Sequence, residues 1–295
     1  MSGWLIDPFT DNEWLARALL AGVLVALACA VVGTFVVLRG LAFVADALAH
    51  GVLPGIAIAV LLGWPAVLGA AVGTVVMMGG VSVITRRSRL SGDTAIGLLF
   101  AGMLALGVMI TSKSRSFFGD LTRIFTGDLF GVDATELMWQ GLAVVFVMGV
   151  AWVCRRPFML LSLEPELATT SGFHVRRYEN LLLLIVAVAI VSSFQAVGTL
   201  LVFGMLLAPA ATAALVTRRV GAMMGVAALV GSASVYAGLL LSYHADLAGG
   251  ASVVAVAVGI FLVTFAVTEV RRSVGARRGT RSLAHTHGGE HGHHH

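Results

Sequence analysis

Two side chains that could bind a metal ion lie one helical turn apart in an apolar stretch, FVADALAHGVLPG. Asp46 is the one formally charged residue between Arg39 and Arg86, and His50 follows it by four positions. At this spacing two side chains share one face of a helix. A carboxylate and an imidazole form half of a four-ligand site for Zn²⁺, and they also suit Mn²⁺ or Fe²⁺. A structural hydrogen bond and a proton relay are the alternatives.

Proline and glutamine mark further positions within apolar runs. Pro54 lacks the N–H that would bond to the His50 carbonyl, which frees that oxygen on or near the same face. A third ligand, a hinge and an ordinary kink all remain open there. Gln195 and Pro209, in QAVGTLLVFGMLLAPAATA, predict a broken double span. That break is either a gate or a packing kink.

Composition assigns these residues to a membrane protein. Hydrophobic residues make up 58% of the 295 positions and charged residues 12%. Apolar stretches of ~20 residues, long enough to cross ~30 Å of hydrocarbon, recur along the chain, and a backbone in lipid must satisfy its hydrogen bonds internally. We therefore expect an all-α polytopic membrane protein with eight or nine transmembrane helices. The predicted spans are 15–38, 41–62, 64–85, 93–112, 135–154, 180–197, 198–217, 220–243 and 250–270.

Arginines predict the orientation of these spans. The positive-inside rule places most of the clusters between spans on the cytoplasmic side, which puts the N-terminus outside and the C-terminus in the cytoplasm. Lys113, Arg115 and Arg123 are exceptions on the other face. The clusters that follow the rule are Arg39, Arg86/Arg87/Arg89, Arg155/Arg156, Arg176/Arg177, Arg218/Arg219 and Arg271/Arg272.

Glycine pairs one turn apart predict where helices approach closely. Small residues at this spacing let two backbones come together in lipid. Gly69/Gly73 and Gly221/Gly225 are two such pairs. We interpret both as packing features without a chemical role.

Residues 1–270 are predicted to form the transmembrane domain, and 271–295 a basic, histidine-rich cytoplasmic tail. The connection 155–179 contains a short predicted helix, Glu164 to Thr170, and is interpreted as either a protein-docking surface or a solvated loop. The tail arginines suit anionic lipid headgroups. Short histidine tracts commonly bind metal, although an expression tag is the other reading. The tail histidines considered as ligands are His285, His287, His291 and His293.

Several functional classes are excluded or disfavoured. There is no GxxxxGK[ST] phosphate loop, so this chain is not itself a P-loop ATPase. The hydrolase signatures HExxH and GxSxG are also missing. Cys29 and Cys154 are far apart within predicted spans and indicate no disulfide framework. The acidic start, MSGWLIDPFTDNEWL, predicts no cleavable signal.

The chain resembles the permease subunits of the ABC-3 family, bacterial ABC importers for zinc, manganese and iron. The resemblance spans about residues 15–270 and departs from the family at Asp246, where relatives often carry Pro-x-Gly after the acid. Five stretches carry it in the family's order: VGTFVVLRGLAFVADALAHGVLPGIAIA, DTAIGLLFAG, DLTRIFTGDLFGV, EPELATTSGFHVRRYENLLLL and QAVGTLLVFGMLLAPAATAALV.

The resemblance implies a homodimer of permeases, two separate ATPase subunits and an extracytoplasmic metal-binding protein. Asp46 and His50 are then expected to contact the passing ion. The family's ATPase-coupling segment corresponds to EPELATTSG, and the coupling residues are Glu164, Glu166, Ala168 and Gly172.

We therefore predict an importer permease of the bacterial inner membrane, which is not an enzyme because a partner chain hydrolyses ATP. The transported metal is predicted to be zinc first, with manganese or iron as alternatives, and no permanent cofactor is expected. Membrane lipids are expected partners and nucleic acid is not. The rivals are an ATP-independent cation/proton antiporter, which would need a second acidic or histidine pair, and an intramembrane metallohydrolase, which would need a third deep ligand and a base.

Overall fold

The protein is a bundle of α-helices. The structure, a computed structural model, describes residues 12–88, 92–112, 129–163 and 174–286. These ranges contain nine α-helices and one 3₁₀ turn, Leu129–Gly131, and they contain no strand. The helices are α1, Glu13–Leu38; α2, Ala42–Leu61; α3, Ala66–Arg87; α4, Gly92–Ser112; α5, Ala134–Val153; α6, Arg155–Leu163; α7, Val175–Val216; α8, Val220–Ala245; and α9, Gly249–Thr286.

The all-helical membrane class predicted from the sequence is confirmed. Within the described residues, seven helical stretches are long and apolar enough to cross a membrane, and Thr94–Ile110 and Leu201–Val216 are shorter apolar helices. The seven are Glu13–Leu38, Ala42–Leu61, Ala66–Thr85, Ala134–Val153, Val175–Phe194, Val220–Ala245 and Gly249–Arg271. Eight or nine spans stays a prediction, as does the orientation of the two termini.

Helix α1 lies at the centre of the bundle. In its most apolar window 67% of residues are buried, compared with 22% for α5 at the periphery. It packs against α5, α7 and α8. Small residues make this possible: a Cβ added to Gly33 would lie 2.1 Å from the Leu206 carbonyl oxygen, so α1 and α7 are in backbone contact there.

Helices α2, α3 and α4 form a second packing unit, in which α2 contacts both of the others extensively. A Cβ on Gly69 would lie 2.3 Å from the Gly55 carbonyl oxygen, and one on Gly73 would lie 2.8 Å from the Gly51 carbonyl oxygen. The predicted close approach at Gly69 and Gly73 is therefore confirmed.

The same prediction is wrong for the second glycine pair within the single chain. Gly221 and Gly225 on α8 are exposed, and a Cβ at either position would meet nothing within 4 Å. Glycines four positions apart place small residues on one face of a helix. A close contact forms only if another helix lies opposite that face. Here α8 turns the pair away from the described helices.

Helix α7 is broken at Gly198, as the double span predicted from the sequence requires. Gly198 has φ 73° and ψ 167°, a region of backbone space that is essentially restricted to glycine. Glu179 contacts Arg39 just after the end of α1, yet Leu206 lies beside Gly33, near that same end. A straight helix would carry Leu206 about 40 Å beyond Glu179, so the chain folds back at the break.

The end of α1 and the start of α7 therefore meet at one end of the bundle, which we call the basic end. Arg39 follows α1 there, and α6 joins the same region because its Phe158 contacts Phe35 of α1. Helix α2 begins at this end, three residues after Arg39. The basic end also carries Arg155, Arg156, Arg176 and Arg177.

Candidate metal-contact site

The predicted ligand pair lies in the first half of α2. Asp46 Oδ1 and His50 Nε2 are 3.5 Å apart, and each side chain is 26% exposed. With a rise of 1.5 Å per residue, Asp46 lies about 6 Å and His50 about 12 Å along the axis from the first residue of α2. The pair therefore lies nearer to the basic end than to the far end of this helix.

The distance within the pair suits a shared metal ion. An ion held about 2.1 Å from both atoms would see them at an angle of about 110°, which matches tetrahedral coordination. A hydrogen bond of 3.5 Å would be long and weak. The separation thus fits two ligands converging on one ion, and it is long for a structural hydrogen bond between the two side chains.

Helix α4 fixes the orientation of the histidine. The Phe100 ring meets the His50 ring edge-on, with centroids 5.5 Å apart and planes at 75°. About two turns before His50, towards the basic end, Phe43 is 46% exposed and lies next to Gly97 of α4. The face of α2 that carries Phe43, Asp46 and His50 is thus supported along one side by α4.

Pro54 continues the same face. It is buried inside α2, which remains one continuous helix from Ala42 to Leu61, and it packs against Gly107 of α4, where an added Cβ would lie 3.5 Å from the proline nitrogen. Proline provides no N–H for the carbonyl of the residue four positions earlier. The N–H that would complete this turn of the helix is therefore absent, and a role of the His50 carbonyl oxygen as a ligand stays a prediction.

One chain supplies an incomplete site. Among the described residues, no group of three or more His, Cys, Asp and Glu side chains is close enough to hold a metal ion. Zinc sites in proteins usually have at least three protein ligands. To hold a metal ion, Asp46 and His50 would need further ligands from water, the backbone or another chain.

The break in α7 lies beside the same helix. Phe194 clusters with Val52 and Ile56 of α2, just beyond the ligand pair. Pro209 is buried in the second half of α7. Of Gln195 only the backbone is described, so the alternatives of a gate and a packing kink both stay open there.

Several predicted residues fall outside the described part of the chain. They include Glu164, Glu166, Ala168 and Gly172 of the coupling segment, and the tail histidines His287, His291 and His293. His285 lies within α9, but its side chain is not described. These residues keep their predicted roles without a structural account.

His244 and Asp246 lie at the C-terminal end of α8. Nδ1 of His244 lies 2.8 Å from the Leu240 carbonyl oxygen, and Asp246 caps α8 in the left-handed conformation, with φ 51°. An aspartate tolerates this conformation better than most residues. Each of the two residues thus has a local structural role at this helix end.

One ion pair in the structure was not identified from the sequence. Arg39 Nη2 donates to Glu179 Oε1 at 2.7 Å, across 140 positions of the chain. In the sequence, Arg39 served only as a marker of orientation and Glu179 as the end of a polar connection. No local pattern joins two residues that far apart.

Comparisons with known proteins identify the family of the chain. The model of the ABC 3 transport family matches residues 11–268. The chain belongs to the ABC 3 transport family. It is therefore a multi-pass membrane permease of an ABC importer for metal, and it is not an enzyme.

Relatives of this permease extend over almost its whole length. It is 36% identical over 263 residues to the manganese transport system membrane protein of Halalkalibacterium halodurans, covering 89% of this chain and 90% of the relative. It is 33% identical over 265 residues to the chelated iron transport system membrane protein of Yersinia pestis, covering 90% and 89%. Among solved structures it resembles PsaBC from Streptococcus pneumoniae in complex with a Fab, with a TM-score of 0.82, 30% identity and coverage of 90% and 95%.

Proposed function

We propose that Asp46 and His50 are transient ligands of a divalent transition metal as it passes through the permease. The observation that carries this proposal is the 3.5 Å separation of Asp46 Oδ1 and His50 Nε2 on one face of an otherwise apolar helix. Ionisable groups at membrane depth are costly and usually functional.

A second copy of the chain would complete the coordination. Two copies facing each other across the exposed side of this α2 face would bring together two carboxylates and two imidazoles, which is a four-ligand set. The partial exposure of both side chains supports a face that is open to a partner. We therefore infer a homodimer with the metal path between the two copies.

Three metals are candidates for the transported ion, and one test compares them. Zinc is proposed from the sequence because of imidazole chemistry and the histidine tail. The names of two relatives favour manganese and iron, and both ions accept the same nitrogen and oxygen ligands. Zn²⁺, Mn²⁺ and Fe²⁺ must therefore be compared side by side.

The remaining partners follow from the proposed orientation. With the basic end in the cytoplasm, residues 155–179 would dock a separate ATPase subunit through Glu164, Glu166, Ala168 and Gly172. An extracytoplasmic metal-binding protein would deliver the ion at the opposite end. Within residues 1–270 the helices would carry transport, and the tail 271–295 would contact lipids and buffer metal.

The proposal is tested in liposomes that contain the permease, its ATPase and its binding protein. Uptake of each of the three metals and metal-stimulated ATP hydrolysis are measured for the unaltered chain, Asp46→Ala and His50→Ala. We expect both substitutions to abolish uptake while the ATPase still copurifies. His244→Ala is the matched control, because His244 lies near a helix end and its side chain is engaged by its own helix.

Unchanged uptake in both variants would remove Asp46 and His50 from the pathway. Uptake by the permease alone, driven by a proton gradient without ATP, would instead support the antiporter. The metal that is both accumulated and able to stimulate ATP hydrolysis is the cargo.

A further inference from the structure

The ion pair at the basic end joins the C-terminal end of α1 to the start of α7. Arg39 is the C-cap residue of α1, and Glu179 lies in the second turn of α7. Their 2.7 Å contact is partly shielded, with side chains 15% and 40% exposed. Short charge-assisted hydrogen bonds of this kind are stronger than neutral ones, and partial burial reduces screening by salt.

Aromatic contacts attach a third helix to the same place. The Phe158 ring of α6 meets Phe35 of α1 at 5.4 Å and Tyr178 of α7 at 6.5 Å, both edge-on. Phe35 and Phe158 are fully buried. Residues 164–173 connect α6 to α7 along the chain, so the helices on both sides of that segment are anchored to the last turns of α1.

The connection from α1 to α2 is a tight turn that is hydrogen-bonded to the last residues of α1. The amide of Gly40 donates to the Val37 carbonyl at 3.2 Å, and the amide of Leu41 donates to the Val36 carbonyl at 2.9 Å. With Gly40 at φ 65°, this is a Schellman C-cap. The Leu41 carbonyl then accepts the first hydrogen bond of α2, from Ala45 at 3.0 Å.

Displacement of Arg39 must therefore move the start of α2, where Asp46 follows seven residues later. Apart from this turn, α1 and α2 touch each other little, because α2 packs against α3 and α4. Helix α7 also contacts α2 directly, and one such contact, Phe194 with Val52 and Ile56, lies beyond the ligand pair. The turn is the route that enters α2 on the side of Asp46.

We propose that Arg39 and Glu179 form a positioning link, which carries movement of the ATPase-docking segment to the helix that bears Asp46 and His50. The link rests on the proposed function, in which 155–179 docks the ATPase. The aromatic cluster holds α6 and α7 against α1, and the ion pair makes α1 follow α7 when the segment moves. Without the pair, ATP hydrolysis continues while α2 no longer responds.

The test follows the position of α2 directly. Phe43→Cys places a thiol on the face of α2 that carries the ligand pair, in a background with Cys29→Ala and Cys154→Ala. The permease–ATPase complex is labelled with a neutral maleimide, with and without ATP, since a charged reagent would itself respond to the loss of Arg39. Arg39→Ala, Glu179→Ala, Glu179→Gln and the charge exchange Arg39→Glu/Glu179→Arg are compared.

The parent complex carries Phe43→Cys in the background without native cysteines and keeps Arg39 and Glu179. It should show an ATP-dependent change in labelling rate at position 43. Arg39→Ala and Glu179→Ala should bring the ratio of the two rates close to one, and the charge exchange should restore the change. Glu179→Gln, which keeps a hydrogen-bonding group, should lie between. Metal transported per ATP hydrolysed should fall at least about fivefold in both alanine variants, the low end of coupling factors between linked sites.

Arg17→Ala is the matched control. Arg17 pairs with Glu13 at 3.3 Å on the first turns of α1, where the side chains are 49% and 90% exposed. That pair lies at the opposite end of the same helix and joins no second helix. Its loss should leave both the labelling ratio and the coupling ratio unchanged.

Three results would overturn the link. They are an unchanged ATP-dependent labelling ratio in Glu179→Ala, the absence of any such ratio in the parent complex, and a charge exchange that fails to restore what both single variants lose. A labelling response that is present while none of the three metals is taken up would refute the proposed function and leave the link standing. Intact elution of the complex confirms that each variant is assembled.

Discussion

Gly69→Ala should lower the thermal stability of the permease, whereas Gly79→Ala in the same helix should not. A Cβ on Gly69 would lie 2.3 Å from the Gly55 carbonyl oxygen and 2.6 Å from the Ala59 Cβ. A Cβ on Gly79 would meet nothing within 4 Å. The two substitutions add the same methyl group to α3, so they differ only in what that group contacts.

The magnitude follows from the distances. Ordinary contacts begin near 3.4 Å, so α2 and α3 must separate by about 1 Å, which already forfeits part of their dispersion contact. Overpacking of this kind costs about 1–3 kcal/mol. Replacing glycine by alanine in a helix interior recovers about 1 kcal/mol in both variants. The free energies of unfolding of the two variants should therefore differ by about 1–3 kcal/mol.

At about 2 °C per kcal/mol for a chain of this size, Gly69→Ala should unfold about 2–6 °C below Gly79→Ala. Tryptophan fluorescence of the purified chain, which has five tryptophans, reports the transition at one fixed scan rate and in one detergent. Gly73→Ala, with a built Cβ 2.8 Å from the Gly51 carbonyl oxygen, should fall between the two. A Gly69→Ala chain as stable as Gly79→Ala would show that α2 and α3 are not in backbone contact.

One further substitution probes the break, and one deletion probes the tail. Gly198→Ala should destabilise the chain by about 1–3 kcal/mol, because an L-residue does not readily adopt the observed φ of 73°; equal melting temperatures for Gly198→Ala and the open-site control Gly225→Ala would contradict the break. Deletion of 283–295 should leave metal uptake in liposomes intact, since α9 loses only its last described turn, and complete loss of uptake would assign the tail an essential role.

Much of the site follows from local spacing. Asp46, His50 and Pro54 share a face because positions four apart always do in a helix, whatever surrounds that helix. Gln195 and Pro209 predict a broken double span from a similarly local signal, and the structure places the break at Gly198. The predicted all-helical fold rests on apolar length alone, and it is confirmed.

Other features depended on which helices are neighbours. Gly69/Gly73 and Gly221/Gly225 have the same spacing, yet one pair is buried against α2 and the other is exposed. The edge-on contact of Phe100 with His50 likewise requires α4 to lie beside α2. Sequence spacing describes one helix at a time, and packing partners are chosen by the whole bundle.

The sequence by itself determined that an acid and a histidine face the same way in a membrane helix, because helical periodicity is a local property of the chain. Only the tertiary structure decided that Arg39 meets Glu179 across 140 positions. That contact exists because the first half of α7 starts where α1 ends, and the break at Gly198 then brings Leu206 of the second half beside Gly33 of α1. A long-range pair of this kind is fixed by the path of the chain in space, which no local pattern records.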